Sequence, residues 1–311
     1  MSSLWMISVR DICRARSDAG ERARHTGAME DIAAALGAEI VGSRVLAGGF
    51  SHQTSLLTLT SGPVVVRVGG ADHEIEAAVM AAARGHVPVP EVLKVIPGTA
   101  MVLEYVAGTP LSEVLDGGFE LGAEVGRVAA AVSAVTFDRP GFFADAGLAV
   151  APQSPWSQQL PEFAEACMAK TARLDVSARK AWAELCALHA PALAAIDDQA
   201  RLVHADLNPK NILVSRVDGR WRVDALLDWE FSFAGCPYGD AANMLRFAAD
   251  YPEDFVDGFR AAFAEHLPAD QDWLYLGQVL DMFALSDLVT RPAGNPVADR
   301  AAHEIRRRVT R

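Results

Sequence analysis

His204-Ala-Asp206-Leu-Asn208-Pro209-Lys210-Asn211-Ile-Leu-Val, followed after a short gap by Leu226-Leu227-Asp228-Trp229-Glu230, is the stretch on which the reading of this chain turns. Ile212-Leu-Val-Ser reads as a strand, Val217-Asp218-Gly219-Arg220 supplies an Asp-Gly turn, and Trp221 to Leu227 returns as the partner strand. Such a hairpin brings Asn211 and Asp228 to one end, where both can reach one cation. Asp206 stands five positions before Asn211. Phosphoryl transfer from a magnesium nucleotide needs these groups: a carboxylate to accept the proton of an attacking hydroxyl, and oxygen ligands for the metal that bridges the phosphates. A loop that only caps and turns would also favour Asn and Asp. Three such side chains at this spacing around one hairpin favour a site.

The segment resembles the catalytic loop of the protein-kinase-like superfamily, and more closely its aminoglycoside phosphotransferase branch. The kinase pattern H-R-D-x-x-x-x-N has Ala205 in place of its arginine, and D-F-G is here Asp228-Trp229-Glu230. The resemblance implies that Asp206 is the catalytic base and that Asn211 and Asp228 hold Mg2+. Asn208 stands where protein kinases place a lysine that touches the transferred phosphate. Lys210 could substitute only with its stem bent inward.

Composition sets outer bounds. With 311 residues and 51% hydrophobic content the chain can bury one large core or two modest ones. No run approaches eighteen apolar residues, so no transmembrane helix and no membrane partner is expected. A net charge of −12 argues against a nucleic-acid binder and suits the attraction of cationic small molecules, although solubility alone is the commoner reason for it. Cys13, Cys167, Cys186 and Cys236 show neither paired nor metal-ligand spacing and fit idle thiols in a reducing cytoplasm. Residues 1–28 carry five arginines and no apolar core, and read as a disordered or non-native extension before Met29.

A nucleotide-gripping lobe should precede the catalytic loop. Ile40 to Leu46, Ser55 to Thr60 and Val64 to Val68 read as strands, with Gly48, Gly49 and Ser51 in the first turn. Adjacent glycines let backbone amides approach phosphate, and a plain hairpin turn would use the same residues. No G-x-x-x-x-G-K-[ST] run exists, which disfavours a P-loop kinase. The third strand offers Arg67 where kinases use lysine; the first lysine of the chain is Lys94. Arginine can hold phosphate bidentately, and a solvent-facing arginine is the alternative. The resemblance implies that Glu76, with Glu74 as competitor, pairs with Arg67 from the helix Asp72 to Arg84. It also implies that backbone groups of Glu104 and Val106 meet the adenine edge. Met101 and Leu213, with Leu46, Val65, Leu103 and Leu227, would then flank the ring, although each of these is also ordinary core.

Beyond Leu111 the pattern turns helical, over Leu121 to Val135, Pro155 to Ala172, Ser177 to Ala195 and Ala241 to Ala249. Asp240 reads as N-cap of the last, and the resemblance implies that it supports the catalytic-loop backbone. His204 reads as a packed loop histidine. Asp281 and Asp287, acids in the otherwise apolar stretch Tyr275 to Val289, are the candidates for recognising the acceptor's amines. The span from Asp228 to Asp240 leaves no room for a long activation loop, which speaks against a protein substrate.

The expectation is an α+β, two-lobed protein-kinase-like fold, with a small β-rich lobe over 29–106 and a larger helical lobe over 107–311. Its expected chemistry is transfer of the γ-phosphate of ATP (or GTP) to a hydroxyl of a cationic antibiotic of aminoglycoside or basic-peptide type, and so resistance. The alternatives are a metabolic kinase of choline, a hydroxy amino acid or a sugar, and a catalytically silent nucleotide-binding module. Oligomeric state has no signature in the sequence.

Overall fold

The computed structural model describes residues 32, 35–46, 52–70, 72–265, 267 and 272–310. The expectations for 1–28 and for the turn carrying Gly48, Gly49 and Ser51 fall outside the described residues. The chain divides into two compact units, each discontinuous in sequence.

The first unit runs through Glu113 and takes in 143–149 and 210–232. It holds β1 (Ile40–Val45), β2 (His52–Leu59), β3 (Gly62–Gly69), α1 (His73–Ala83), β4 (Val92–Ile96) and β5 (Ala100–Glu104). The five strands form one antiparallel sheet in the order β1-β2-β3-β5-β4. Side chains alternate across a strand, so cross-strand partners share a face. On one face Leu57, Leu59, Val64, Val66, Ala100 and Val102 pack with Ile32 into an apolar core. Each Leu, Val or Ile among them, fully buried, contributes roughly 1.5–3 kcal/mol. The other face carries Val65 opposite Leu103 and Arg67 opposite Met101. Asp72 opens α1 by accepting the Glu74 and Ile75 amides. β6 (Thr109–Pro110), β8 (Ile212–Val217) and β9 (Arg220–Leu226) form a smaller sheet of the same unit, tied to it by Leu226 N–H donating to the Pro88 carbonyl.

The compact units do not follow the expected division at 106/107. The β8–β9 hairpin lies far along the chain, but β8 bonds to β6, so it falls with the sheet-bearing unit.

The second unit holds α2 (Gly118–Val132), α3 (Trp156–Met168), α4 (Val176–His189), β7 (Arg201–Val203), β10 (Phe233–Gly235), α5 (Tyr238–Leu245), α6 (Glu253–Ala264), α7 (Trp273–Leu288) and α8 (Pro296–Val309). α2 and α6 touch backbone to backbone. A Cβ on Gly122 would lie 2.0 Å from the Phe255 carbonyl oxygen, and one on Gly258 2.1 Å from that of Phe119, so only glycine admits the approach. Trp156 packs against Phe142, Phe233 and Phe283 at centroid distances of 5.3–5.9 Å. α4 ends at His189 and passes into a 3-10 turn over 190–195, where one helix to Ala195 was expected. α5 begins at Tyr238, not Ala241, so Asp240 sits inside its first turn and is not an N-cap.

Candidate active site

The β8–β9 hairpin forms as its sequence predicts. Asp218 and Gly219 are its two loop residues, at φ 51° and 80°, the left-handed pair that a two-residue hairpin needs. Arg216 stacks over its cross-strand partner Trp221 at 4.4 Å. At the open end Leu227 N–H donates to the Asn211 carbonyl at 2.8 Å, which sets Asn211 beside the residue preceding Asp228. Asp228 itself holds φ at 69°, a costly conformation for a residue with a Cβ and one that concentrates at functional sites.

Arg67 is buried, not solvent-facing, and its guanidinium spans two carboxylates. Nη1 pairs with Glu76 Oε1 on α1, and Nη2 with Asp228 Oδ1 at 2.7 Å. Glu76 Oε1 also accepts the Trp229 N–H at 3.2 Å, so one α1 carboxylate holds both the cation and the backbone beyond Asp228. Of the two acids proposed for this contact, Glu76 makes it. Burial works against the charge on Arg67, but Glu76, Asp228 and Glu230 outweigh it and hold the guanidinium pKa above its usual value. Burial likewise opposes the charge on Glu76, and Arg67 with His73 keeps its carboxyl below the usual range.

The loop around Asp206 belongs to the second unit and is held by backbone geometry. Asp240, wholly buried, accepts the His204 N–H on Oδ2 at 2.8 Å and the Ala205 N–H on Oδ1 at 2.9 Å. Burial pushes the Asp240 carboxyl up to about 7, the two amides pull it down, and Asp206 adds to the rise. Ala205 holds φ at 67°. His204, fully buried, accepts the Asp206 N–H on Nδ1 at 3.2 Å, as a packed loop histidine would. Asn208 Nδ2 donates to the Asp206 carbonyl and, at 3.1 Å, to Asp206 Oδ1. Asn208 therefore orients the carboxylate, a role its position alone did not suggest, while Lys210 is exposed.

The expected nucleotide-lining residues are all in the first unit. Met101 is fully buried and Leu213 and Val106 are half-buried. Glu104 N–H donates to the Glu91 carbonyl and its side chain accepts the Glu91 N–H, so an adenine contact would fall to the Glu104 carbonyl. Asn211 and Asp228 offer hard oxygen donors from one hairpin end, which suits magnesium, an ion that needs only one or two protein carboxylates. Among the described residues no group of three or more His, Cys, Asp or Glu side chains could hold a metal.

The structure places Asp281 in an ion-pair network. Its buried carboxylate is engaged by Arg246 at 2.7 Å and Arg308 at 3.0 Å, and these partners lie too far along the chain for the apolar stretch to reveal them. It lines a cavity of about 1000 Å³ with Arg246, Asp250, Trp273, Arg300 and Arg308. Asp287 is half-buried, 3.4 Å from Arg291, and burial raises its carboxyl pKa. Cys167, Cys186 and Cys236 are buried free thiols with pKa raised by burial, unsuited to chemistry. No helix among the described residues is long and apolar enough to cross a membrane.

Residues 43–275 match the profile of the phosphotransferase enzyme family, APH. The chain belongs to this family. Its members move phosphate to hydroxyl groups, and the chain is accordingly a small-molecule kinase. Aminoglycoside phosphotransferase APH(4)-Ia superposes with a TM-score of 0.72 at 17% identity, over 92% of this chain and 98% of that one. A thermostable mutant of that enzyme was crystallised with ADP and hygromycin B. Macrolide 2'-phosphotransferase MphH from Brachybacterium faecium gives 0.62 at 21% identity, over 89% and 97%. A candidate fructosamine-3-kinase from Thermobifida fusca gives 0.62 at 18%, over 89% and 98%. Comparison with curated protein sequences gives no match. These likenesses bear out the kinase-like α+β fold, with a sheet-bearing N-terminal part and a helical C-terminal part.

Proposed function

We propose that this phosphotransferase moves the γ-phosphate of ATP (or GTP) to a hydroxyl of a small molecule, with Asp206 as the base. The observation that carries this reading is the bridge of Arg67 between Glu76 and Asp228, with Asn211 at the same hairpin end as Asp228. Asn211 and Asp228 would hold Mg2+, which when bound neutralises charge on the phosphates. Arg67, positioned by Glu76, offsets phosphate charge. Asp206, oriented by Asn208, accepts the proton of the attacking hydroxyl. Gly48, Gly49 and Ser51 remain candidates for phosphate contact, and Met101, Glu104, Val106 and Leu213 for adenine.

For the acceptor, a cationic antibiotic remains the proposal, motivated by the acidic chain and by Asp287. A metabolic hydroxyl compound is the second reading, favoured by the engagement of Asp281 with two arginines, which removes one carboxylate an amine would need. ADP release by purified protein with Mg·ATP, tested against aminoglycosides and basic peptides and against choline, hydroxy amino acids and sugars, separates them. A response to antibiotics supports resistance, and a response to metabolites alone ends it.

A further inference from the structure

We infer that Asn243 is a positioning residue for Asp206, acting through the bent Ala205 peptide; the inference rests on Asp206 being the base. Asn243 stands three residues after Asp240 on α5, so the two share one helix face. Asp240 accepts the Ala205 N–H, and Asn243 Nδ2 donates to the Ala205 carbonyl. The one residue between His204 and Asp206 is thus gripped at both its backbone polar groups.

The grip answers a specific strain. Ala205 sits at φ 67°, a region that costs an alanine free energy and that glycine enters without penalty. The conformation persists only where surrounding contacts over-determine it. Asn243 itself bears a cost for being there. It is 8% exposed, and among the described residues its Oδ1 has no hydrogen-bond partner. A buried acceptor left unmatched is unfavourable, so an apolar side chain would serve mere packing better. What the amide supplies is its N–H2 group on the Ala205 carbonyl. With that donor gone, Ala205 relaxes toward negative φ, and the next residue to swing is Asp206.

The test measures ADP release from Mg·ATP by the full chain, with water as acceptor, in wild type, Asp206→Ala, Asn243→Ala and Asn243→Ala/Ala205→Gly. Asn243→Ala is expected to lower kcat roughly 10- to 100-fold, the scale of a small misplacement at the reacting centre. The KM for ATP should stay within about twofold, since ground-state binding is untouched. Adding Ala205→Gly should restore kcat to within about threefold of wild type, because glycine enters the bend without steric penalty and the Asp240 contact suffices to keep it there. Unchanged kcat in Asn243→Ala, or a loss that glycine does not recover, overturns the inference. Should Asp206→Ala release ADP at the wild-type rate, the base assignment fails instead. A crystal structure of Asn243→Ala then still decides the positioning: residue 205 leaving the left-handed region supports it, and remaining there overturns it.

Discussion

The two halves of the proposed machinery are held by different physics. Asp228 is fixed by charge: a buried guanidinium bridges it to Glu76. Around Asp206 hydrogen bonds gather about a strained peptide: Asn208 donates to its carboxylate, its own N–H donates to His204, and Asp240 and Asn243 hold Ala205. A general base must stay basic enough to take a proton, and a neighbouring cation would weaken it. The arginine fork at position 67 reaches two acids at once, which the single ammonium of a lysine would do less well.

Substitutions on the two sides should therefore fail differently. Asp228→Ala removes the proposed metal ligand and one arm of the Arg67 bridge; ADP release should fall by roughly a thousandfold, and raising Mg2+ should not restore it. Retention of activity would remove Asp228 from the metal site. Arg67→Lys keeps the charge but loses the fork, and kcat should drop roughly tenfold with Asp228 less firmly placed. A rate equal to wild type would mean that the bridge is not needed.

Asp281→Asn tests whether this carboxylate serves its two arginines or the acceptor. Breaking a buried pair leaves Arg246 and Arg308 facing a neutral group at a cost of about 3–5 kcal/mol, read as a lower thermal unfolding midpoint, with acceptor response intact. Unchanged stability with lost acceptor response would return Asp281 to the acceptor site. The smallest effect concerns pH. Burial raises the Asp240 carboxyl from 3.8 to about 7, so between those values the folded chain holds a proton that the unfolded chain has released. This group's contribution is full below about 4, is lost as pH rises toward about 7, and is flat above. In Asp240→Asn that slope should vanish from the pH dependence of unfolding; an unchanged slope would show that Asp240 does not titrate there.

Local signals made much of this legible. The Asp-Gly turn, the strand alternation around Arg67 and the spacing from Asp206 to Asn211 are short-range patterns that the backbone must obey, and the family match bears out the fold they suggested. Long-range partnerships were not legible. The partners of Asp281, Arg246 and Arg308, lie 35 and 27 residues away. The hairpin's place in the first unit depended on its pairing with Thr109–Pro110. Asn243 carried one clue, its helical spacing from Asp240. The glycine turn at 48–49 lies outside the described residues.

The most direct test of the account is Asp206→Ala, assayed for Mg·ATP binding and for ADP release in the same preparation. The account predicts binding close to wild type and turnover reduced by roughly 10²- to 10⁴-fold, the contribution of a general base. Full turnover in that variant would contradict it.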